Sequence, residues 1–506
     1  MIALQLNKRD FEYDAHSLIR AFYPGTDVTI FYDEEATCPD PCETAHTGRK
    51  DSEETAEEAW DLKIRLDYQE DHIALTLCGP DGTVLDMATE DVDYYVDRKE
   101  TKNRLKYRLY QMLSAYTGQT LPWGTLTGIR PTKIPMAFLE QGKKPAWIAQ
   151  YMREKYLTSP EKTALGISIA VREKALLEKI SYQDGYSLYI GIPFCPSICL
   201  YCSFSSSPLS LWEDKVDLYL DALCKEIAYG AEEYRGRTLT TVYIGGGTPT
   251  TLNPAQMERL LTEVETHFDL SNVQEFTVEA GRPDSITREK LEVLKRHPVT
   301  RISINPQTMN QKTLEIIGRR HTVEQTKEAF LLAREMGFDN INMDLIVGLP
   351  GEEKSQVEET MRQVSDLNPD SITVHSLAVK RAARLNMFKD QYKELTFVNS
   401  CEIMDMTAAY AGNLGMFPYY LYRQKNMAGN FENVGYARPG KEGLYNILIM
   451  EEKQSILALG AGASTKVVAA SDRIDRIENV KDIKSYIERI DEMIERKRQG
   501  FLKYGK

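Results

Sequence analysis

The sequence predicts an α/β protein, with a partial (β/α)6 barrel preceded by an α+β domain and followed by a mixed α/β region. Six apolar, β-rich runs recur between positions 188 and 377, and each is followed by a stretch with helical periodicity. Continuous apolar strands that alternate with helices are typical of a parallel sheet covered on both faces. An open α/β sheet fits the same pattern, and either arrangement places functional residues at the carboxyl ends of the strands.

The predicted elements divide the chain into four segments. The runs of the barrel are Leu188–Ile192, Thr241–Gly245, Phe276–Ala280, Arg301–Pro306, Ile341–Leu349 and Ile372–Leu377. The strands and helices predicted upstream are Val28–Tyr32, Leu62–Tyr68, Ile73–Cys78, Asp14–Phe22 and Arg98–Tyr116. The segments are a small α+β domain over 1–115, a helical connector over 116–185, the barrel over 186–380 and a C-terminal, substrate-side domain over 381–506.

The composition is that of a globular protein without a membrane anchor. The 506 residues carry a formal net charge of −13, which disfavours broad binding to nucleic-acid phosphates. The first charged side chain is that of Lys8, which is too early for the apolar core of a signal peptide. No apolar run is long enough to span a bilayer. We therefore expect a cytoplasmic monomer with no membrane span and no nucleic-acid partner.

Three of the eight cysteines form a motif directly after the first barrel strand. Cys195, Cys199 and Cys202 stand in the segment GIPFCPSICLYCSF with the spacing C-x3-C-x2-C. Three thiolates on one short loop can bind three irons of a [4Fe–4S] cluster, which leaves the fourth iron free for a small molecule. Zinc is the alternative, but structural zinc usually has four ligands, and the sequence has no second C-x2-C pair.

The motif and its lead-in YIGIPFC resemble those of the radical S-adenosylmethionine superfamily. Further motifs resemble, in the same order, those of the oxygen-independent coproporphyrinogen III oxidase family, and they are Pro193-Phe194, Gly245–Thr250, Glu279, Gln307, Gly318–His321 and Asn342–Gly351. The long N-terminal region and the tail YLYRQKNMAGNFENVGYARPGKEGLYNI resemble the HemZ-like branch. The resemblance implies a radical S-adenosylmethionine barrel and an oxidoreductase, with a [4Fe–4S] cluster and S-adenosyl-L-methionine as cofactors.

The resemblance also implies which residues hold the cofactors. Cys195, Cys199 and Cys202 are the expected metal ligands and, with Tyr189, the expected catalytic residues. The contacts to S-adenosyl-L-methionine are expected from Tyr189, Phe194, Gly246, Gly247, Thr248, Glu279, Gln307, Arg319, Asp344 and Ala378.

The residue types suit these roles, although several have a structural alternative. Glycines at a strand end let backbone groups approach a ligand closely. Glu279 needs a partner if it is buried, which is either a ligand group or a structural salt bridge. Arg319, or its neighbour Arg320, suits a methionyl carboxylate, which a guanidinium binds through two hydrogen bonds. Asp344 is a charge within an apolar strand, which a ribose hydroxyl pair would explain. Tyr189 either packs in its strand or contacts the sulfonium through its ring.

In the family, a propionate side chain of coproporphyrinogen III loses hydrogen and carbon dioxide and becomes a vinyl group. The resemblance thus implies an enzyme of tetrapyrrole and haem biosynthesis that forms protoporphyrinogen IX, with an electron donor such as flavodoxin or ferredoxin. Its substrate pocket needs apolar walls and polar or cationic groups for the carboxylates, and the candidates are Lys380, Arg381, Arg384, Tyr419, Tyr420, Arg423, Lys425 and Arg438.

One position departs from the family's pattern and leaves alternatives open. The decarboxylating members carry a further cysteine two positions after the third ligand, where this chain has Phe204. Because relatives within the family carry haem rather than make it, the resemblance also implies a haem-binding chaperone as an alternative function. Another radical enzyme that acts on a tetrapyrrole or on RNA is a third, although the acidic stretch Glu34–Glu58 disfavours contact with RNA.

Overall fold

The computed structural model of the chain forms two compact units, Met1–Ile167 and Ser168–Lys506. It describes residues 1–37, 60–92, 97–180, 182–378, 383–387, 397–424, 431–469 and 473–505. The finer division into four segments stays a prediction. In the acidic stretch Glu34–Glu58, residues 34–37 continue a strand, and the rest lie outside the described residues.

The first unit contains a five-stranded sheet and its covering helices. The strands are β1 (Ile2–Lys8), β2 (Val28–Thr37), β3 (Leu62–Tyr68), β4 (His72–Cys78) and β5 (Val84–Asp91), in the order β2-β1-β3-β4-β5. The helices are α1 (Glu12–Phe22), α2 (Arg98–Thr117), α3 (Lys133–Glu140) and α4 (Pro145–Tyr156), and α5 (Pro160–Leu177) begins in this unit. The upstream elements predicted from the sequence are present. The additional strand β1 runs parallel to both β2 and β3.

The described residues of the second unit form one large sheet and a small two-stranded sheet, β7-β8. The strands of this unit are numbered onward from β6. Its strands are β6 (Gly185–Ile192), β7 (Phe194–Cys195), β8 (Ser207–Pro208), β9 (Thr238–Gly246), β10 (Glu275–Glu279), β11 (Arg301–Ser303), β12 (Ile341–Val347), β13 (Ser371–Ser376), β14 (Phe417–Tyr422), β15 (Asn433–Ala437), β16 (Ser455–Leu459), β17 (Ser464–Val468) and β18 (Ile474–Glu478). Eleven of them form the order β14-β15-β13-β12-β11-β10-β9-β6-β16-β17-β18. The parallel neighbours from β6 to β13 confirm the predicted partial (β/α)6 barrel.

Helices follow the barrel strands and cover the sheet. They are α6 (Val216–Glu233), α7 (Pro254–His267), α8 (Arg288–Arg296), α9 (Gln311–Ile316), α10 (Val323–Glu335), α11 (Lys354–Leu367), α12 (Arg384–Met387), α13 (Cys401–Asn413), α14 (Leu444–Glu451), α15 (Ile483–Glu488) and α16 (Ile490–Tyr504). Asn253 and Thr322 start α7 and α10 with capping boxes, in which each exchanges hydrogen bonds with the glutamine three residues later. Within the described ranges, the search for a helix long and apolar enough to cross a membrane finds none.

The C-terminal strands extend the barrel sheet at both edges. At one edge, β15 lies antiparallel to β13, and β14 lies antiparallel to β15. At the other edge, β16 lies parallel to β6, with Ala458 opposite Tyr189, and β17 and β18 continue in antiparallel fashion. Residues after 381 therefore contribute directly to the sheet that surrounds the site.

A buried ion pair joins the last helix to the barrel. Lys497 on α16 lies 2.9 Å from Glu226 on α6, and both side chains are fully buried. Glu226 also accepts hydrogen bonds from the Gly460 amide, Asn479 and Tyr486. Removing either partner would leave an uncompensated buried charge, which is strongly destabilising.

Candidate functional site

A cavity of about 720 Å³ opens at the carboxyl ends of the parallel strands. The three cysteines of the motif line it. The other predicted site residues that line it are Tyr189, Gly246, Gly247, Thr248, Glu279, Gln307, Arg319, Asp344 and Ala378. The carboxyl edge of a parallel sheet is where α/β proteins hold their ligands, and here it brings together residues from across the whole barrel.

The loop that carries the cysteines is held by backbone hydrogen bonds from two neighbouring segments. The Gly247 and Thr248 amides donate to the carbonyls of Ile192 and Phe194, each at 2.7 Å. The Leu200 amide donates to the Ile317 carbonyl at 2.9 Å. A Cβ on Gly247 would lie 2.6 Å from the Phe194 oxygen, so the glycine is needed for the loop to dock against β9.

The three thiols suit a cluster. The Thr248 hydroxyl lies 3.5 Å from the Cys195 sulfur, and Ser206 lies 3.8 Å from the Cys202 sulfur. Burial raises the pKa of both thiols, so bound cations are needed to hold them as thiolates at neutral pH. Within the described residues, no three His, Cys, Asp or Glu side chains converge as they would around a single metal ion. The thiolates of a cubane each bind a different iron.

Two carboxylates in the cavity have opposite pKa shifts. Burial, together with the nearby charge of Asp344, raises the pKa of Glu279 to about 7, although a hydrogen bond from the Tyr243 hydroxyl opposes the rise. Burial would also raise the pKa of Asp344, but hydrogen bonds and the charge of His375 outweigh it and lower that pKa. One of these hydrogen bonds comes from the Asn342 amide at 2.7 Å. Asp344 is therefore a carboxylate at neutral pH, while Glu279 is poised between its two forms.

We expect binding of S-adenosyl-L-methionine to depend on the protonation of Glu279. Below pH 7 the carboxyl is mostly protonated and loses its attraction for a ligand cation, so the affinity should weaken about tenfold from pH 8 to pH 6. Anaerobic calorimetry of the cluster-loaded protein across this range measures the effect. Glu279→Gln should bind more weakly and without the same pH dependence, and an unchanged profile in that variant would contradict the assignment.

Arg319 and Gln307 complete the part of the cavity that suits a methionyl group. Arg319 is buried, and its terminal nitrogens donate to the carbonyls of Asn305 and Gly281. Its Nε has no hydrogen-bond partner among the described residues, which leaves this donor available to a ligand carboxylate. Gln307 has a φ of 67°, a left-handed conformation that is strained for this residue type and that often marks ligand sites. Arg320, the alternative to Arg319, is exposed.

Phe194 was expected to contact S-adenosyl-L-methionine, but it does not line the cavity. The ring is fully buried and packs edge-on against Tyr219 at 5.3 Å. Only its backbone serves the site, through the hydrogen bond from Thr248. Tyr201, two positions after Cys199 in the same loop, lines the cavity instead.

Two further tyrosines line the cavity and were missed by the sequence analysis. The rings of Tyr243 and Tyr445 stack with centroids 4.5 Å apart, and Tyr189 lies nearly parallel to both. Tyr243 lies two residues before Gly245 on β9 and therefore points to the same face, which was a usable signal for its direction. Tyr445 lies on α14, far along the chain, and no local pattern connects it to this site.

The predicted substrate-contact residues are distributed over several places. Lys380, Arg381 and Lys425 lie outside the described residues. Of the others, Tyr420 lines the cavity and stacks on Tyr422, while Tyr419 is buried beside it. Arg384 is exposed in an outer groove, Arg423 is buried, and Arg438 donates to Asn368 and to the Leu414 carbonyl.

Comparison with known proteins identifies the class. The profile of the Radical SAM superfamily matches residues 189–364, which begin in β6 and end in α11. The fold and the cysteine site thus define a radical S-adenosylmethionine enzyme, and its cofactors are a [4Fe–4S] cluster and S-adenosyl-L-methionine.

The relatives define the family more closely. The chain is 42% identical over 404 residues to the oxygen-independent coproporphyrinogen-III oxidase-like protein HemZ of Bacillus subtilis, covering 79% of this chain and 81% of that protein. It therefore belongs to the HemZ family. It is 32% identical to the heme chaperone HemW of Lactococcus lactis, covering 56% of this chain and 70% of HemW. The structure of coproporphyrinogen III oxidase HemN from Escherichia coli, a radical SAM enzyme, matches with a TM-score of 0.50 and 25% identity, over 63% of this chain and 73% of HemN.

Proposed function

We propose that this enzyme oxidises propionate side chains of coproporphyrinogen III to vinyl groups and so forms protoporphyrinogen IX in haem biosynthesis. The bound cofactors would supply a 5′-deoxyadenosyl radical that removes a hydrogen atom from the propionate, after which an electron and carbon dioxide leave. The residues of the chain orient the substrate and shield the site from water. The observation that supports this substrate is the wall of the cavity contributed by the C-terminal region.

This C-terminal wall combines an apolar surface with a cationic rim. It consists of Tyr445, Ile449, Met450, Ile456, Ala458, Lys466 and Arg476, all of which line the cavity. Coproporphyrinogen is an apolar macrocycle edged with carboxylates, so it needs such a surface on its face and cations at its edge. Its strand residues extend the cavity past β6, whereas Tyr445 stacks near Tyr189, an expected cofactor contact.

The cationic rim lies on two paired strands. Lys466 on β17 is directly opposite Arg476 on β18, and Glu452 pairs with both, at 3.4 Å and 3.6 Å. Like charges directly opposite each other destabilise a sheet, and Glu452, which pairs with both, offsets part of this repulsion. Glu478 also lines the cavity, two pairs along, where it is opposite Ser464. A substrate carboxylate would therefore bind at the Lys466 and Arg476 end.

Substitution of the rim should weaken substrate binding without affecting the cofactor. The double variant Lys466→Met, Arg476→Met should raise the KM for coproporphyrinogen III at least about tenfold, because a hydrogen bond to a charged group contributes about 1.5–3 kcal/mol. Lys484→Met, at an exposed lysine on α15, is the matched control. An unchanged KM, or an equal loss of S-adenosyl-L-methionine affinity, would exclude the rim as the carboxylate site.

The proposed reaction is tested by anaerobic incubation of the cluster-loaded protein with coproporphyrinogen III, a reductant and S-adenosyl-L-methionine. We expect protoporphyrinogen IX, with two molecules of carbon dioxide released for each product. Cleavage of the cofactor without any change in the tetrapyrrole would reject this substrate and keep the radical chemistry.

A haem-binding chaperone is the second candidate function. Its support is the similarity to HemW and the presence of Phe204, which is 73% exposed and lines the cavity mouth, where the family's decarboxylating members carry cysteine. The two candidates differ in a direct binding measurement. Tight, stoichiometric haem binding together with no turnover of coproporphyrinogen III would favour the chaperone.

The setting of the reaction is also part of the proposal. We propose a cytoplasmic monomer that takes electrons from a donor such as flavodoxin or ferredoxin and has no nucleic-acid partner. The net charge of −13 supports the last point, since it disfavours binding to phosphates. Light scattering and a coupled assay with each reduced donor test the first two.

A further inference from the structure

Arg282 lies beside the cysteine loop, on the turn that follows β10. Its side chain is 3% exposed. One terminal nitrogen, Nη1, lies 3.1 Å from the Ser197 carbonyl oxygen and 3.9 Å from the Cys199 sulfur. Both terminal nitrogens also lie 3.2 Å from the Ser197 hydroxyl. A buried guanidinium therefore donates to the loop and to one of the three ligand sulfurs at once.

Asp284 fixes the orientation of this guanidinium. Its two oxygens accept from Nε and Nη2 of Arg282 at 3.0 Å and 2.9 Å, which is the paired geometry of a strong carboxylate contact. Burial would raise the pKa of Asp284, but the hydrogen bond and charge of Arg282 outweigh it and lower that pKa. Asp284 is thus charged at neutral pH.

The remaining polar neighbours of this pair leave a positive surplus near Cys199. His321 is fully buried and 3.9 Å from Asp284. Burial, followed by the charge of Arg319, lowers the pKa of His321 to about 3, so its ring is neutral at physiological pH. Arg319 is also buried and lines the cavity with Arg282. Two guanidinium groups and one carboxylate therefore face this part of the loop.

We propose that Arg282 is a positioning residue of the iron–sulfur site, which fixes residues 197–199 and raises the reduction potential of the cluster through its contact with Cys199. Cluster potentials depend on net charge, on hydrogen bonds to the sulfurs and on solvent exposure. A cationic donor at a ligand sulfur stabilises the reduced cluster, which carries one more negative charge than the oxidised cluster. Electron entry becomes easier, whichever substrate the cavity binds.

A purely structural salt bridge would have a different signature. If Arg282 and Asp284 only held the turn together, substitution of either would lower stability in the same direction and leave the potential unchanged. In the proposed role, the two residues act on the potential with opposite signs, because one adds positive charge near Cys199 and the other offsets it.

The test is a redox titration, followed by electron paramagnetic resonance, of the cluster-loaded enzyme without S-adenosyl-L-methionine. Arg282→Gln should make one-electron reduction about tenfold less favourable, which lowers the midpoint potential by about 59 mV. Asp284→Asn should raise the potential. Arg320→Gln removes an exposed positive charge next to the same site, and as the control it should leave the potential close to that of the wild type.

Each result bears on the role of Arg282. An unchanged potential in Arg282→Gln with a full complement of iron would overturn it, as would a lowered potential in Asp284→Asn. If Arg282→Gln does not retain its cluster, the near-isosteric Asp284→Asn variant decides the question alone.

Discussion

Cys199→Ala should remove the [4Fe–4S] cluster and abolish cleavage of S-adenosyl-L-methionine. In the expected site each of the three thiolates would bind a different iron, so loss of one would leave the cluster with two protein ligands. The Cys199 sulfur is buried and contacts Arg282, and no other cysteine among the described residues lines the cavity beyond the three of the motif. Removal of a residue that only contacts a metal ligand typically lowers activity about 10–100-fold. The loss of activity in Cys199→Ala should be larger than that.

Iron analysis and anaerobic product assays measure this effect. Wild type should hold about four irons for each chain. Cys401→Ala is the matched control, since Cys401 is exposed at the start of α13, and it should keep both the iron and the activity. A Cys199→Ala protein that stays brown and still cleaves the cofactor would refute the cluster assignment.

Gly247→Ala should destabilise the fold around the cysteine loop and reduce cluster loading. The added Cβ would lie 2.6 Å from the Phe194 oxygen and 2.9 Å from the Ile192 oxygen, and both are backbone atoms that cannot rotate away. The hydrogen bonds that dock the loop against β9 would then be broken or stretched. Overpacking together with these losses should lower the free energy of unfolding by about 3 kcal/mol.

The matched control for this glycine lies on the neighbouring strand. A Cβ on Gly191 would meet its nearest atom at 3.4 Å, which is ordinary van der Waals contact. Gly191→Ala should therefore unfold close to the wild-type temperature and load a full cluster. If both variants behaved alike in thermal unfolding and iron content, the close approach at Gly247 would not be what holds the loop.

The barrel could be predicted from the sequence because each of its strands is marked by a pattern of neighbouring residues. Each barrel strand is an apolar run, and the carboxylates and glycines of the site stand within such runs or at their ends, as Glu279 does at the end of β10. Strand ends in a parallel sheet share one edge, so position along the chain was enough to place these residues together. Phe194 differs because one residue of offset turns a side chain from the cavity to the core.

The C-terminal part of the site was beyond local reasoning. Lys466 and Arg476 reach the cavity because β16 pairs with β6, and Tyr445 reaches it because α14 packs against β9. Contacts over such distances along the chain leave no periodic signal. Arg282 was missed for a similar reason, since an arginine in a polar turn usually extends into solvent. Its burial depends on Ser197 and Asp284 lying on either side of it.

The pairing of β16 with β6 also means that one edge of the parallel sheet is completed late in synthesis. Ser455 pairs with Tyr186, about half of the chain's length earlier, so β6 emerges during synthesis long before its partner exists. Until then, one edge of the parallel sheet is open and prone to association with other chains. The cysteine loop follows this unfinished edge. The surroundings of the loop are therefore complete only after β16 has been synthesised and has paired with β6.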